Sequence, residues 1–205
     1  MKKNIFSILL FLSSLSFAQI DITAGMGLNF FSAPDIKDYI NSYSTAVDEM
    51  HSFNTSADFF GEIGYDINQN YQIALEYTFN IYSFNSTGIN GIYDFEIDQH
   101  KPSLIGYYVL PGVGYKLKFG FGFGLRNAKI KEKFSGLTKT ADYSTSGFGL
   151  IAKAQGDTKL SDDFYAVIVG ELRYDMPGEI EAFNKAKFNV NTLGVILKLG
   201  ISYHL

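Results

Sequence analysis

Four side chains that could ligate a metal stand two residues apart, Asp94, Glu96, Asp98 and His100. Oxygen donors of this kind suit a divalent cation. In an extended chain alternate residues share a face but lie roughly 7 Å apart. They cannot close on one ion unaided, so the spacing describes a solvated strand face equally well. The three histidines, His51, His100 and His204, are scattered and show no His-x-Ser or comparable pairing. Gly120, Gly122 and Gly124 alternate within a run that reads as strand rather than opening a helix, the wrong context for a phosphate loop. The chain has no cysteine, which removes thiolate metal sites, disulfides and a cysteine-linked lipid anchor. No catalytic residue, metal or cofactor is expected.

A larger ionisable set falls on the polar side of alternating segments. Its acids are Asp21, Asp58, Glu62, Glu76, Asp157 and Glu171, and its bases are Lys116, Lys118, Arg126, Lys153, Arg173 and Lys198. If these side chains share an enclosed interior, any charge left unpaired costs several kcal/mol. A filled lumen of paired charges is therefore expected. The alternative is a narrow or gated path for a cation or a small, even hydrophobic, solute, with strand four opening laterally near Pro102.

The elements that must position these residues follow a period of two. Ile20, Ile22, Ala24, Met26, Leu28 and Phe30 alternate with Asp21, Thr23, Gly25, Gly27 and Asn29. The same code runs through Tyr71 to Ile81, through Tyr115 to Arg126, and through Thr192 to Leu205. Less regular strands are expected over Thr55 to Asp66, Tyr93 to Leu110, Tyr143 to Asp157 and Phe164 to Tyr174, giving about eight. Strand four is the least regular, because both alternate sets are apolar between Leu104 and Leu110 and Pro102 suggests a bulge or an edge break.

Connections alternate in length. Short ones fall at Ile67 to Asn70, Pro111 to Gly114 and Leu160 to Asp163. Long ones fall at Ser32 to Asn54, Asn85 to Ile92, Ser135 to Asp142 and Asp175 to Lys187. The first long connection holds the one helical pattern, Ile36, Tyr39, Ile40, Tyr43, Val47 and Met50 after Pro34-Asp35. Asn41, Ser42, Ser44 and Thr45 are poor helix formers, and a polar loop is the competing reading.

Residues 1–18 read as a signal peptide: Lys2 and Lys3, the apolar run Ile5 to Leu12, then Ser16-Phe17-Ala18 ahead of Gln19. Residues 19–205 form the expected folded domain. Removing Lys2 and Lys3 takes the formal charge from −4 to −6, which gives no support to nucleic-acid binding. No mature segment is long and apolar enough for a transmembrane helix.

A secreted β-sandwich would bury the apolar face of each strand and load the other with charge. Here the second face is studded with glycine, as a cramped lumen requires. Aromatic residues near strand ends, Phe30, Phe31, Tyr65, Tyr71, Tyr115, Phe164, Tyr174 and Tyr203, suit membrane interfaces. The last strand reads Lys198-x-Gly200-x-x-Tyr203-x-Leu205, which resembles the C-terminal signal of bacterial outer-membrane barrels, with Leu where Phe is commonest. With the exported N-terminus and the strand pattern, the mature chain resembles the OmpA/OmpX-like superfamily of small outer-membrane β-barrels. The Phe17-Ala18-Gln19 context resembles Bacteroidota-type exports. The resemblance implies an all-β, transmembrane antiparallel up-and-down barrel in the bacterial outer membrane, with short periplasmic turns and longer outer loops. It also implies contact with outer-membrane lipid and lipopolysaccharide, assembly by the barrel-assembly machinery through Lys198, Gly200, Tyr203 and Leu205, and a monomer whose outer loops meet a surface ligand. Some barrels of this kind modify lipid A with His and Ser side chains. The histidines here do not reproduce such a pair, so a structural or surface-interaction role is expected in place of an enzyme.

Overall fold

Alternation decides the architecture. A strand turns successive side chains to opposite faces, and eight such strands close here into a ring. The computed structural model describes residues 20–43, 49–88, 91–134, 140–182 and 185–205. The signal-peptide reading, Val47 and part of the loop reading at Ser135 to Asp142 lie outside the described residues.

The strands are β1 (Ile20–Ser32), β2 (Asn54–Asn68), β3 (Tyr71–Gly88), β4 (Gly91–Gly112), β5 (Tyr115–Phe134), β6 (Thr140–Lys159), β7 (Phe164–Met176), the short β8 (Glu179–Glu181) and β9 (Lys187–Asn189), and β10 (Thr192–His204). Among the described residues one helix, α1 (Pro34–Tyr43), follows β1. The closed barrel runs β1-β10-β7-β6-β5-β4-β3-β2, every neighbour antiparallel, and β8 pairs only with β9. The seam is tied at one rim, where Leu205 N–H donates to Ile20 C=O at 2.9 Å. Both ends of the described chain therefore sit on the rim of the short turns.

The large apolar side chains are outside. Leu199 is 65% exposed, Phe121 64% and Leu75 63%, whereas Asp58 and Lys118 are fully buried. In water this would be one continuous apolar patch, far larger than a soluble monomer presents. Leu193, Val195, Leu197, Leu199 and Ile201 span nine residues of β10, the length a tilted strand needs to cross the hydrocarbon layer. Tyr71 stacks edge-on with Tyr108 at 5.7 Å, and Phe164 meets Tyr203 at 5.1 Å, beside the short turns. Such rings belong at a membrane interface.

Two expectations are corrected. Pro102 produces no bulge: β4 holds one register against β5 on both sides of it, from His100↔Asn127 to Ser103↔Gly124. The irregularity lies instead between Asp66 and Asn68 on β2, where Asn68 Oδ1 caps the turn by accepting from the Asn70 and Tyr71 amides at 2.9 and 3.0 Å. Strand five runs to Phe134, up to the connection expected from Ser135. The last long connection starts later than Asp175, because β7 continues to Met176, and β8 and β9 pair beyond it.

Strands β3 to β6 outrun the others and stand above the ring as a four-stranded sheet. Its inner face carries Tyr82, Phe95, Ile97, Ala128 and Ile130. Ile36, Tyr39 and Ile40 of α1, then Met50, and Ile180 and Phe188 of the hairpin, pack on that face in one buried cluster. Tyr39 stacks on Phe188 at 4.2 Å. Asn41 holds Met50 by both backbone groups, at 2.9 and 3.3 Å. The described helix spans Pro34–Tyr43, and Met50 joins the same core.

Candidate functional site: the charged lumen

Every second residue of each strand points inward, and below the apolar cap most of these residues are polar. In the middle of the lumen Glu76 accepts from Lys153 at 2.8 Å, from Lys198 at 3.3 Å, from Arg173 at 3.3 Å and from Thr78 at 3.0 Å. Lys153 also reaches Glu62 at 2.6 Å, which Tyr107 holds at 2.7 Å. Lys198 donates to Glu171 at 2.8 Å, and Arg173 bridges Glu171 at 2.5 Å and Asp58 at 3.3 Å. Lys198 and Lys153 lie over the Phe60 ring at 4.8 and 5.6 Å, adding a cation–π contribution in a desolvated setting.

Above this layer Asp175 pairs with Lys101 at 2.8 Å and with the Arg126 guanidinium, which also donates to Ser103 at 3.1 Å. Gly149 makes room for that pair, since a Cβ there would lie 2.3 Å from Arg126 Nε and 2.5 Å from Asp175 Oδ1. Toward the short turns Lys118 binds Asp21 at 2.8 Å and lies 3.1 Å from Asp157. Lys116 spans Asp66 at 3.6 Å and His204 Nδ1 at 3.3 Å.

The structure thus brings Asp58, Glu62, Glu76, Lys153, Glu171, Arg173 and Lys198 into one network. It places Asp21, Lys118 and Asp157 below it, and Arg126 above. Lys116 sits at the rim, half-buried. Four ionisable participants escape the sequence reading: Lys101, Asp175, Asp66 and Tyr107. Asp175 continues the inward set of Glu171 and Arg173 by one more step of two, and Lys101 stands one such step before Ser103, so alternation alone could have found both.

The C-terminal residues divide between the two faces. Lys198 works in the lumen network, Gly200 lies against Phe60, and Tyr203 packs outward on Phe164. Asp94, Glu96 and Asp98 lie on the outer face of the extended sheet, in register with Lys133, Lys131 and Lys129. His100 accepts or donates at 2.5 Å with the Tyr77 hydroxyl and stacks on Phe79 at 5.0 Å. Among the described residues no three His, Asp or Glu side chains converge as a metal group.

The whole barrel is similar to solved structures. Ail of Yersinia pestis matches with a TM-score of 0.57 at 13% identity, over 91% of this chain and 97% of Ail. Neisserial surface protein A matches at 0.52 and 14%, over 91% and 97%. The fold is that of a small outer-membrane β-barrel of the OmpA/OmpX type. The outer membrane protease OmpT of Escherichia coli is similar to this barrel at a TM-score of 0.52 and 8% identity, over 94% and 98%. Ail has also been crystallised with sucrose octasulfate, a heparin analogue. No family model and no curated protein sequence matches the barrel.

Proposed function

We propose that this barrel resides in the outer membrane of a Gram-negative-type bacterium and acts through its outer surface, as an interaction protein with a sealed lumen. The observation that carries the reading is the double closure. Glu76 with its three cations fills the mid-section, and α1 with the β8–β9 hairpin covers the mouth of the extended sheet. An eight-stranded interior is just wide enough for its own side chains, and these are locked by ion pairs. In this reading the short turns face the periplasm, the cap and the extended sheet face outward, and Lys198, Gly200, Tyr203 and Leu205 present the assembly signal.

The outer sheet face does not favour a polyanion of the kind seen on Ail. Lys129, Lys131 and Lys133 stand opposite Asp98, Glu96 and Asp94, so their fields largely cancel beyond about a Debye length. A partner of mixed charge, or the headgroup layer of lipopolysaccharide, fits this ladder better. We read the barrel as a non-enzyme. His100 is bound to Tyr77 and His204 to Lys116, and among the described residues neither has a carboxylate or serine as hydrogen-bond partner.

Planar-bilayer recording tests the sealed lumen. The expected result is a silent membrane, both for the native barrel and for a variant lacking α1, because the charge network closes the path by itself. Stable unitary conductance from the native barrel would replace this reading with transport.

A further inference from the structure

Side-chain size sets the relief of the outer wall. Ala24, Gly61, Tyr77 and Pro102 form one outward row across β1 to β4. Ile63, Leu75, Leu104 and Phe123 form the row toward the short turns. Two small residues and a proline beside larger neighbours leave an almost wholly apolar groove of about 650 Å³, in the size range of small-molecule sites. At its floor a Cβ on Gly61 would meet nothing nearer than the Thr23 carbonyl, at 4.0 Å.

Polar groups follow directly above the groove. One outward step beyond Pro102 and Leu125 come His100 and Asn127, neighbours in register, and the Tyr77 hydroxyl reaches up to His100 Nδ1 at 2.5 Å. One step further, about 7 Å along the strands, Asp98 stands beside Lys129. Among the described residues neither of these two side chains is in a salt bridge. A headgroup layer is roughly 5–8 Å deep. A lipid with an acyl chain in the groove therefore brings its carbonyls to the level of His100 and Asn127 and its headgroup to Asp98 and Lys129. Glu96 and Lys131 lie about 7 Å beyond, outside its reach.

We propose that this face holds one zwitterionic membrane lipid, its acyl chain in the groove and its headgroup, a phosphate linked to a primary amine, laid across Lys129 and Asp98. The site rests on the outward orientation of the extended sheet given above and names the lipid that the sheet meets. Neighbouring strands are about 5 Å apart, a gap that a phosphate and an ammonium joined by two carbons bridge. The phosphate takes the lysine and the ammonium donates to the carboxylate. A purely anionic headgroup is repelled by Asp98 beside the lysine. A quaternary ammonium has no N–H to donate. The groove ties the ligand to the membrane, because a free headgroup leaves that apolar surface unfilled.

Native mass spectrometry of the full folded barrel reads the site when the protein is released from neutral detergent micelles holding equal amounts of phosphatidylethanolamine, phosphatidylglycerol and phosphatidylcholine. The expected result is one retained phosphatidylethanolamine, preferred at least about fivefold over either competitor, which is what one exposed ion pair contributes. Asp98→Asn should erase the preference, and Lys129→Gln should lower phosphatidylethanolamine retention about fivefold. Glu96→Gln, one rung further out, should change neither. Gly61→Leu, which fills the groove, should lower retention of all three lipids. Equal retention of the three by the native barrel overturns the site, as does a preference that survives both Asp98→Asn and Gly61→Leu. Displacement of the lipid by soluble phosphoethanolamine also overturns it, by showing that the headgroup binds without the groove. The assay is blind to conductance. A conducting barrel that retains the lipid selectively removes the sealed-lumen reading alone, and a silent barrel without selectivity removes this site alone.

Discussion

Within β5 and β4, the membrane-spanning half and the outer half obey opposite rules. From Leu117 to Leu125 the outward set of β5 is apolar, and the inward set holds Lys118 and Arg126. From Asn127 to Lys133 the outward set is polar, with Lys129 and Lys131, and the inward set is Ala128, Ile130 and Glu132. On β4 the outward set changes in the same place, with Asp94, Glu96 and Asp98 facing out above and Leu104, Tyr108 and Leu110 below, while Ile105, Tyr107 and Val109 keep its lower inward face apolar. The strand geometry is unchanged through the reversal. What changes is the solvent. Against hydrocarbon the favourable exterior is apolar and the interior must satisfy its own charges. Against water the burial preference reverts to that of a soluble domain, and the cap is such a domain in miniature. The outward set changes character at the level of Leu125 and His100.

If that comparison is right, the two halves should respond differently to the same kind of damage, and the largest response belongs to the lumen. Glu76→Leu would leave Lys153, Lys198 and Arg173 facing one another around an apolar side chain. Breaking a buried pair by deleting one partner costs about 3–5 kcal/mol, so urea unfolding in lipid vesicles should register a loss of this size. A loss under about 1 kcal/mol would mean that the network is hydrated enough to dispense with its central carboxylate.

The outward faces give the next contrast. Phe121, 64% exposed on the membrane half of β5, should tolerate lysine poorly, with Phe121→Lys costing about 2–4 kcal/mol near the midplane. Lys131→Leu, ten residues further on the same face, exchanges one exposed side chain for another in water and should stay within about 0.5 kcal/mol. Equal costs for the two substitutions would place both positions in the same medium and remove the boundary.

The reversal also explains what could and could not be read from the chain. β1, β3 and β10 announce themselves through long runs with a constant phase, and their lumen residues are legible by counting in twos. In β5 the clean alternation stops at Arg126 because its hydrophobic phase flips at Asn127, so the stretch from there to the expected connection at Ser135 shows no single greasy face. The same rule hides the covering role of Ile36, Tyr39 and Ile40. Their helical spacing is visible, but the surface they cover exists only once Phe95, Ile97 and Ile130 are recognised as an inward set. Pro102 misleads for a different reason. A missing N–H predicts a break, yet Pro102 still faces Tyr77 across β3 in unbroken register, and its own carbonyl lies 3.5 Å from Arg126 Nη1.

A loss smaller than those of Glu76→Leu and Phe121→Lys is expected in the cap, where Glu132 is buried among apolar side chains and takes its hydrogen bonds from phenols. Tyr93 donates at 2.8 Å, Tyr39 at 3.1 Å and Tyr143 at 3.4 Å. Burial first, and the adjacent Glu132 carboxylate second, hold the Tyr93 phenol well above its usual range. The sign follows from linkage. Below about pH 10 the phenol is protonated whether the cap is closed or open, and its contribution is complete. As pH rises past that value the open form ionises first, so the closed cap loses stability. Limited proteolysis around α1 should therefore accelerate above about pH 10 while the barrel itself remains folded. Tyr93→Phe should cost about 1 kcal/mol of cap stability at neutral pH and blunt the alkaline acceleration. If the acceleration is undiminished in that variant, Tyr39 or Tyr143 holds the cap in place of Tyr93. If the whole barrel unfolds with the cap, the two halves are not the separate cores that their opposite patterns describe.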